Sequence, residues 1–271
     1  MLLPRIAVIA ASFFLLGHTQ VQAQNDPMDK SLSAEARGKA VAEEAYRRDR
    51  GFGDEEATLT MNLQDARGRE RSRQMRFRTL EREHEGDWMI AVFDNPGDVR
   101  GTASLTHSKA LEPDDQWLFL PATNRVRRIA SNNKSTPFMG SEFSFEDLSD
   151  QQVEKYTYKY LRQEPCGELS CHVVEQYPAY EHSGYSRQVV WYDTNEYRTH
   201  KVEYYDRRER LLKTLTMSDY SQFLDKYWRP MRLEMVNHQT SNRTLLTYSG
   251  YQFQVGFSER DFDVNALRSI R

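Results

Sequence analysis

The sequence predicts a mainly β fold: a single curved antiparallel sheet or partial barrel, with a helix and a loop on one face. Three observations predict it. Beyond residue 57, apolar and polar residues alternate with period two, in runs separated by turn residues at a spacing of about 10–15 positions. Residues 31–51 carry the helical signal, with Ser33 as the expected N-cap, Ala36, Ala40, Val41 and Ala45 as a shallow apolar stripe, and Gly51 and Gly53 as its end. Residues 115–147 combine a short strand apolar on both faces, a Pro turn, an Arg-rich strand, a polar loop and an aromatic segment. Such a segment suits a lid over an apolar surface.

The elements follow in order. Residues 1–23 read as a cleaved secretory signal: Arg5, an apolar run over residues 6–16, and Val21-Gln22-Ala23 as the cleavage site. That run is short of the roughly 20 residues a membrane span needs. No Cys stands near the cleavage site to be acylated, so a soluble, exported chain is expected in the periplasm. Residues 24–271 read as one domain. Leu59, Met61 and Leu63 alternate with polar neighbours, and a turn at residues 65–69 leads into a strand with Met75 and Phe77. Residues 88–93 are apolar on both faces, residues 95–98 turn, and residues 99–108 form a strand. The hairpin of residues 117–120 and 125–130 follows. Later strands are expected near residues 153–161, 170–177, 187–192, 199–205, 211–217, 227–236 and 243–253.

Composition excludes several classes. The formal charge of −3 is far from the strongly basic balance of a nucleic-acid binder. No nucleophile elbow, HExxH, Walker or GxGxxG motif is present, and the histidines are scattered without ligand spacing. No enzyme activity, cofactor or metal is therefore expected. Cys166 and Cys171, close together in an exported chain, are expected to form a disulfide that clips a hairpin turn.

Two sets of residues are candidates for a site. The inner face of the sheet is expected to carry Leu59, Met61, Leu63, Trp88, Ile90, Trp117, Phe119, Trp191, Met231, Leu233 and Met235, as a core or as the lining of an apolar cavity. Phe138, Met139, Gly140, Phe143 and Phe145 form the lid or gate. Arg125 and Arg128 are candidates for an anionic head group, against the alternative of a solvated strand. Arg69, Arg71, Arg73, Arg76 and Arg78 read as an exposed sheet edge that discourages aggregation.

Specific blocks carry a family resemblance. Asp115-x-Trp117-x-Phe119-x-Pro121, Arg125-x-x-Arg128-Ile129 and Phe138-Met139-Gly140-Ser141-x-Phe143-x-Phe145-Glu146-Asp147 resemble the signature of bacterial outer-membrane lipoprotein-sorting proteins. These are LolA-like carriers, often associated with RND-type exporters. Pro96-x-x-Val99-x-Gly101-Thr102 and Tyr227-Trp228-x-Pro230 resemble further blocks. The resemblance implies an unclosed half-barrel with a lid and an apolar cavity that carries acyl chains across the periplasm. Lipid or lipoprotein acyl chains are the expected ligands, an inner-membrane RND-type or ABC transporter an expected partner, and a monomer the expected state. The alternatives are a non-catalytic sensor module on the same fold that recognises an envelope protein, and a hydrolase whose catalytic groups converge only in space.

Overall fold

A computed structural model describes Asp29 and residues 31–270, apart from 84 and 111. The expected signal segment lies outside the described residues. Helix α1 spans Ala34–Asp49, and the Ser33 hydroxyl accepts from the Ala36 amide at 3.2 Å. Arg47 and Arg48 lie in its last turn, where they suit the negative end of the helix dipole. Its buried face is small: Gly38, Ala40, Val41 and Ala42.

Thirteen strands follow: β1 Asp54–Gln64, β2 Glu70–Leu80, β3 Trp88–Asn95, β4 Ala103–His107, β5 Asp115–Leu120, β6 Arg125–Ile129, β7 Tyr156–Cys166, β8 Leu169–Pro178, β9 Tyr185–Asp193, β10 Thr199–Asp206, β11 Leu211–Phe223, β12 Tyr227–Asn237 and β13 Arg243–Phe253. They form one antiparallel sheet in the order β6-β5-β4-β3-β2-β1-β13-β12-β11-β10-β9-β8-β7. The sheet is not closed. Residues 99–101, expected in a strand, form a turn instead: Gly101 donates back to the Phe93 carbonyl at 2.7 Å, and Thr102 to that of Val99 at 2.9 Å.

This order sets the rest of the architecture. The chain meanders from β1 to one edge at β6 and resumes at the opposite edge with β7. Residues 130–155 must therefore cross a face of the sheet. They cross the face that α1 covers, and their Phe138, Phe143 and Phe145 join Val41, Leu59, Met61, Met75, Phe93 and Met235 in one core. We call this the inner face. Helix α1 lies on the β7 edge so closely that a Cβ on Gly38 would fall 2.7 Å from the Tyr160 amide nitrogen.

The outer face of β3–β5 is also covered. Ile90, Val92, Leu105 and Phe119 pack under the C-terminal residues 257–270, which contribute the fully buried Phe262 and Leu267. His107 stacks on Trp88 at 3.9 Å and its Nε2 meets the Phe262 carbonyl at 2.8 Å, which ties this tail down. Cys166 and Cys171 are disulfide-bonded across the β7–β8 hairpin. The basic run on β2 is not an edge, because β2 lies between β1 and β3. Arg76 reaches Asp94 of β3 at 2.9 Å and Arg78 reaches Glu56 of β1 at 2.5 Å, so these arginines serve cross-strand pairing.

Candidate functional site

The crossover is a fastened plug. Phe138 donates its amide to the Phe143 carbonyl at 2.6 Å, and Glu146 donates to that of Lys134 at 2.8 Å, so the segment folds back on itself. The Phe138 ring is buried 5.8 Å from Phe93 and 5.4 Å from Phe145. Two carboxylates bolt it down, one to the β8–β9 connection and one to the strands β9 and β11. Glu146 is buried and accepts from the Tyr180 hydroxyl at 2.8 Å, the Ser183 hydroxyl at 2.5 Å and the Gly184 amide at 2.8 Å. Asp147 accepts from the Tyr185 hydroxyl at 2.7 Å and pairs with the buried ammonium of Lys213 at 2.5 Å. Met139 is half-buried with φ 50°, and Gly140 is exposed with φ 74°. Of the expected lid, then, Phe138, Phe143 and Phe145 are held in the core, and only Met139 and Gly140 reach the surface.

A cavity of about 750 Å³ lies beside this plug, between the C-terminal half of α1, residues 147–153 and the inner face of β8–β12. Its volume is within the roughly 300–1,000 Å³ of small-molecule sites. Val190, Val202, Leu215, Met217 and Leu233 supply aliphatic lining; Tyr46, Tyr158, Tyr192 and Tyr204 add rings. Burial holds the Tyr192 and Tyr204 hydroxyls above their ordinary range, so they stay neutral. Gln176 donates to Gln188 at 2.8 Å, which pairs these two buried amides within the wall.

One side of the cavity is ionic. Arg229 bridges Asp49 of α1 at 2.5 Å and Glu55 of β1 at 2.8 Å. Arg50 pairs with Glu81 at 2.9 Å and Asp87 at 2.8 Å. Lys226 donates to the Arg50 carbonyl at 2.7 Å, and Arg48 to that of Asn195 at 2.7 Å. Burial raises the carboxyl of Glu55 above its ordinary value. Burial and the neighbouring Asp150 push that of Asp87 up to about 7, against the pull of Arg50.

The Asp87 shift has a sign that can be tested. An acid whose folded pKa lies above its unfolded value, here about 3.9, binds more protons when folded between those limits. Its stabilising contribution is complete below about pH 4 and is lost as pH rises through about 7. Urea unfolding should therefore show wild type losing stability relative to Asp87→Asn between about pH 4 and 7. A constant difference between the two proteins across that window contradicts the raised carboxyl.

The residues expected to line a cavity divide three ways. Leu233 lines it, as does Phe143 of the expected lid. Leu59, Met61 and Met235 are buried in the core shared with the plug, with Leu63 at its margin; Met231 is half-buried on β12 and is not among the lining residues. Trp88, Ile90, Trp117 and Phe119 are a correction: they lie on the outer face under the C-terminal tail. Trp191 is another, packing with Cys171, Val173 and Val189. The reason is strand parity, since successive side chains point to opposite faces. The inward set is Met89, Ala91 and Phe93 on β3, Leu118 on β5, and Val190 and Tyr192 on β9. Arg125 and Arg128 are exposed on edge strand β6, Arg128 is paired with Asp115, and neither is among the lining residues.

Sequence reasoning missed the ionic groups of the cavity and the two bolts. Glu146 and Asp147 stood inside the quoted signature block but carried no role there. Among the described residues no three His, Cys, Asp or Glu side chains gather as a metal site, and no helix is long and apolar enough to cross a membrane.

Comparison with known proteins agrees with this architecture. A domain from Vibrio parahaemolyticus assigned to outer membrane lipoprotein sorting is 49% identical, with TM-score 0.84, over 86% of this chain and 98% of its own. The chain belongs to the LolA-like, outer-membrane lipoprotein-sorting family. A family model for uncharacterized proteins matches residues 85–269. A DUF1329 family protein from Desulfovibrio piger is 26% identical, with TM-score 0.83, over 87% of this chain and all (100%) of its own. A LolA superfamily protein from Nitrosomonas europaea shares the fold at 19% identity and TM-score 0.68, over 87% of this chain and 99% of its own. No curated protein matches the chain. With 86% of the chain covered by the 49% relative, this LolA-like chain carries the carrier-type fold over most of its length.

Proposed function

We propose that the protein is an exported carrier that holds lipid or lipoprotein acyl chains in the cavity beneath α1 and moves them between inner-membrane machinery and the outer membrane. The observation that carries this reading is the cavity itself: about 750 Å³, with an aliphatic and aromatic lining and ionic groups along one side. An acyl chain gains roughly 0.8 kcal/mol per buried CH₂, so about ten methylenes supply about 8 kcal/mol before the costs of association. The ionic side suits the polar end of such a cargo, which stays hydrated while the chain is buried. An RND-type or ABC transporter is the proposed donor, and a single protomer carries the whole cavity.

Uptake of a fluorescent fatty acid tests this reading, with native mass spectrometry of the protein purified from the periplasm beside it. Wild type should bind, and periplasmic protein should retain lipid. Leu233→Arg, which sets a charge among Val202, Leu215 and Met217, should weaken uptake by roughly tenfold or more, because burying an unpaired charge outweighs the gain from the chain. Wild-type protein that binds no fatty acid and carries no lipid overturns the carrier reading.

A further inference from the structure

The sheet holds a seam. Strands β12 and β13 each run eleven residues, but their mutual register extends only from Arg232↔Thr247 to Val236↔Arg243. Below Arg232, β12 remains paired to β11 down to Phe223↔Tyr227, and beyond Thr247, β13 remains paired to β1 as far as Glu55↔Phe253. The two strands thus part company in mid-sheet, each still held by its other neighbour.

Aromatic rings take the place of the missing ladder. Tyr227 of β12 stacks with Phe253 of β13 at 6.0 Å, and Phe223 of β11 lies 5.3 Å from both Tyr251 and Phe253. The exchange has a mechanical consequence. Opening a hydrogen-bonded ladder strands buried donors and acceptors, each at a cost of several kcal/mol in an apolar surround. Parting a pair of rings strands none, and an apolar chain passing between them restores the contact it displaces; the ionic link across this end, Arg229 of β12 to Glu55 of β1 at 2.8 Å, is the catch that opening has to release.

The seam also joins the right two places. On its inner side are Phe52, Trp228 and Pro230, which line the cavity. At its outer rim are Leu224, 51% exposed in the β11–β12 turn, and Val255, 42% exposed just past β13. Among the described residues the large hydrophobics exposed to this degree are these two and Tyr177. These two exposed apolar side chains beside the break are what a lipid surface would meet.

We propose that the splayed end of β12 and β13 is a lateral doorway, through which an acyl chain slides between a lipid surface and the cavity. Tyr227 and Phe253 are its leaves, and Leu224 and Val255 meet the lipid. The doorway rests on the carrier reading above and adds to it the route of loading and release.

Tethering the seam tests it. Continuing the register from Arg232↔Thr247 sets Pro230 against Ser249. The double variant Pro230→Cys/Ser249→Cys, bridged by a short bismaleimide with Cys166–Cys171 left oxidised, is compared with itself before bridging. A second bridged pair, Glu234→Cys/Leu245→Cys, spans a position already in register and serves as control. Stopped-flow transfer of a fluorescent fatty acid to and from phosphatidylethanolamine–phosphatidylglycerol vesicles gives the rates. The bridged seam should slow loading and release together by roughly tenfold or more relative to the same variant unbridged, as expected when a gate is held shut. The control should leave both rates unchanged. Equal rates in bridged and unbridged seam variants overturn the doorway while leaving the carrier reading intact; a wild type that takes up no fatty acid overturns both.

Discussion

Asp147→Ala should lower the free energy of unfolding by about 3–5 kcal/mol, read as a shift of the urea midpoint at unchanged slope. The Asp147 carboxylate and the Lys213 ammonium are each 4% exposed and sit 2.5 Å apart. Lys213 also donates to the Glu142 carbonyl at 2.9 Å, and its ammonium lies 5.2 and 5.1 Å from the ring centres of Tyr185 and Tyr204. Removing the acid leaves that ammonium desolvated with two ring faces and one carbonyl for company. Removing both charges is a different experiment. Asp147→Leu with Lys213→Met leaves no buried ion, so most of the loss should return. If the single variant unfolds within about 1 kcal/mol of wild type, the crossover is not fastened there.

Phe138→Ala should cost about 3–5 kcal/mol as well, because a ring 1% exposed is removed from between Phe93 and Phe145 and the bolted crossover cannot collapse to fill the space. Fatty-acid uptake rates should stay near those of wild type. A gate residue behaves in the opposite way: little stability is lost and exchange accelerates. Measuring both quantities on one variant therefore decides whether the aromatic segment moves or holds.

Much of this was legible in the residues. Period-two alternation located the strands because a half-buried sheet demands it, and Ser33 followed by Ala36, Ala40 and Val41 located α1. The signature block identified the family before any geometry was known. The failures have one physical origin. On β3 and β5 both alternating sets are apolar, because the plug covers one face and Phe262 and Leu267 cover the other. Parity alone then cannot say which set faces inward, and Trp88 and Trp117 were placed on the wrong side. The same ambiguity misplaced Trp191, whose neighbours Val190 and Tyr192 face the cavity. The bolts Glu146 and Asp147 were hidden for another reason. A carboxylate in a loop reads as solvated until the topology is known, and only the passage from edge β6 to edge β7 forces that loop across the inner face. Likewise Asp49 and Arg229, 180 positions apart, share no local pattern that could pair them.

The central claim is that acyl chains bind beneath α1, beside the plug and not in place of it. A fatty acid with a diazirine near its methyl end, irradiated in complex with the full chain and mapped by peptide mass spectrometry, tests this directly. Labels are expected on the C-terminal half of α1 and on the inward residues of β9–β12, such as Val202, Leu215 and Leu233. Labels confined to Trp88, Trp117 and their neighbours on the outer face, or to Leu59 and Met61 behind Phe138, would contradict it.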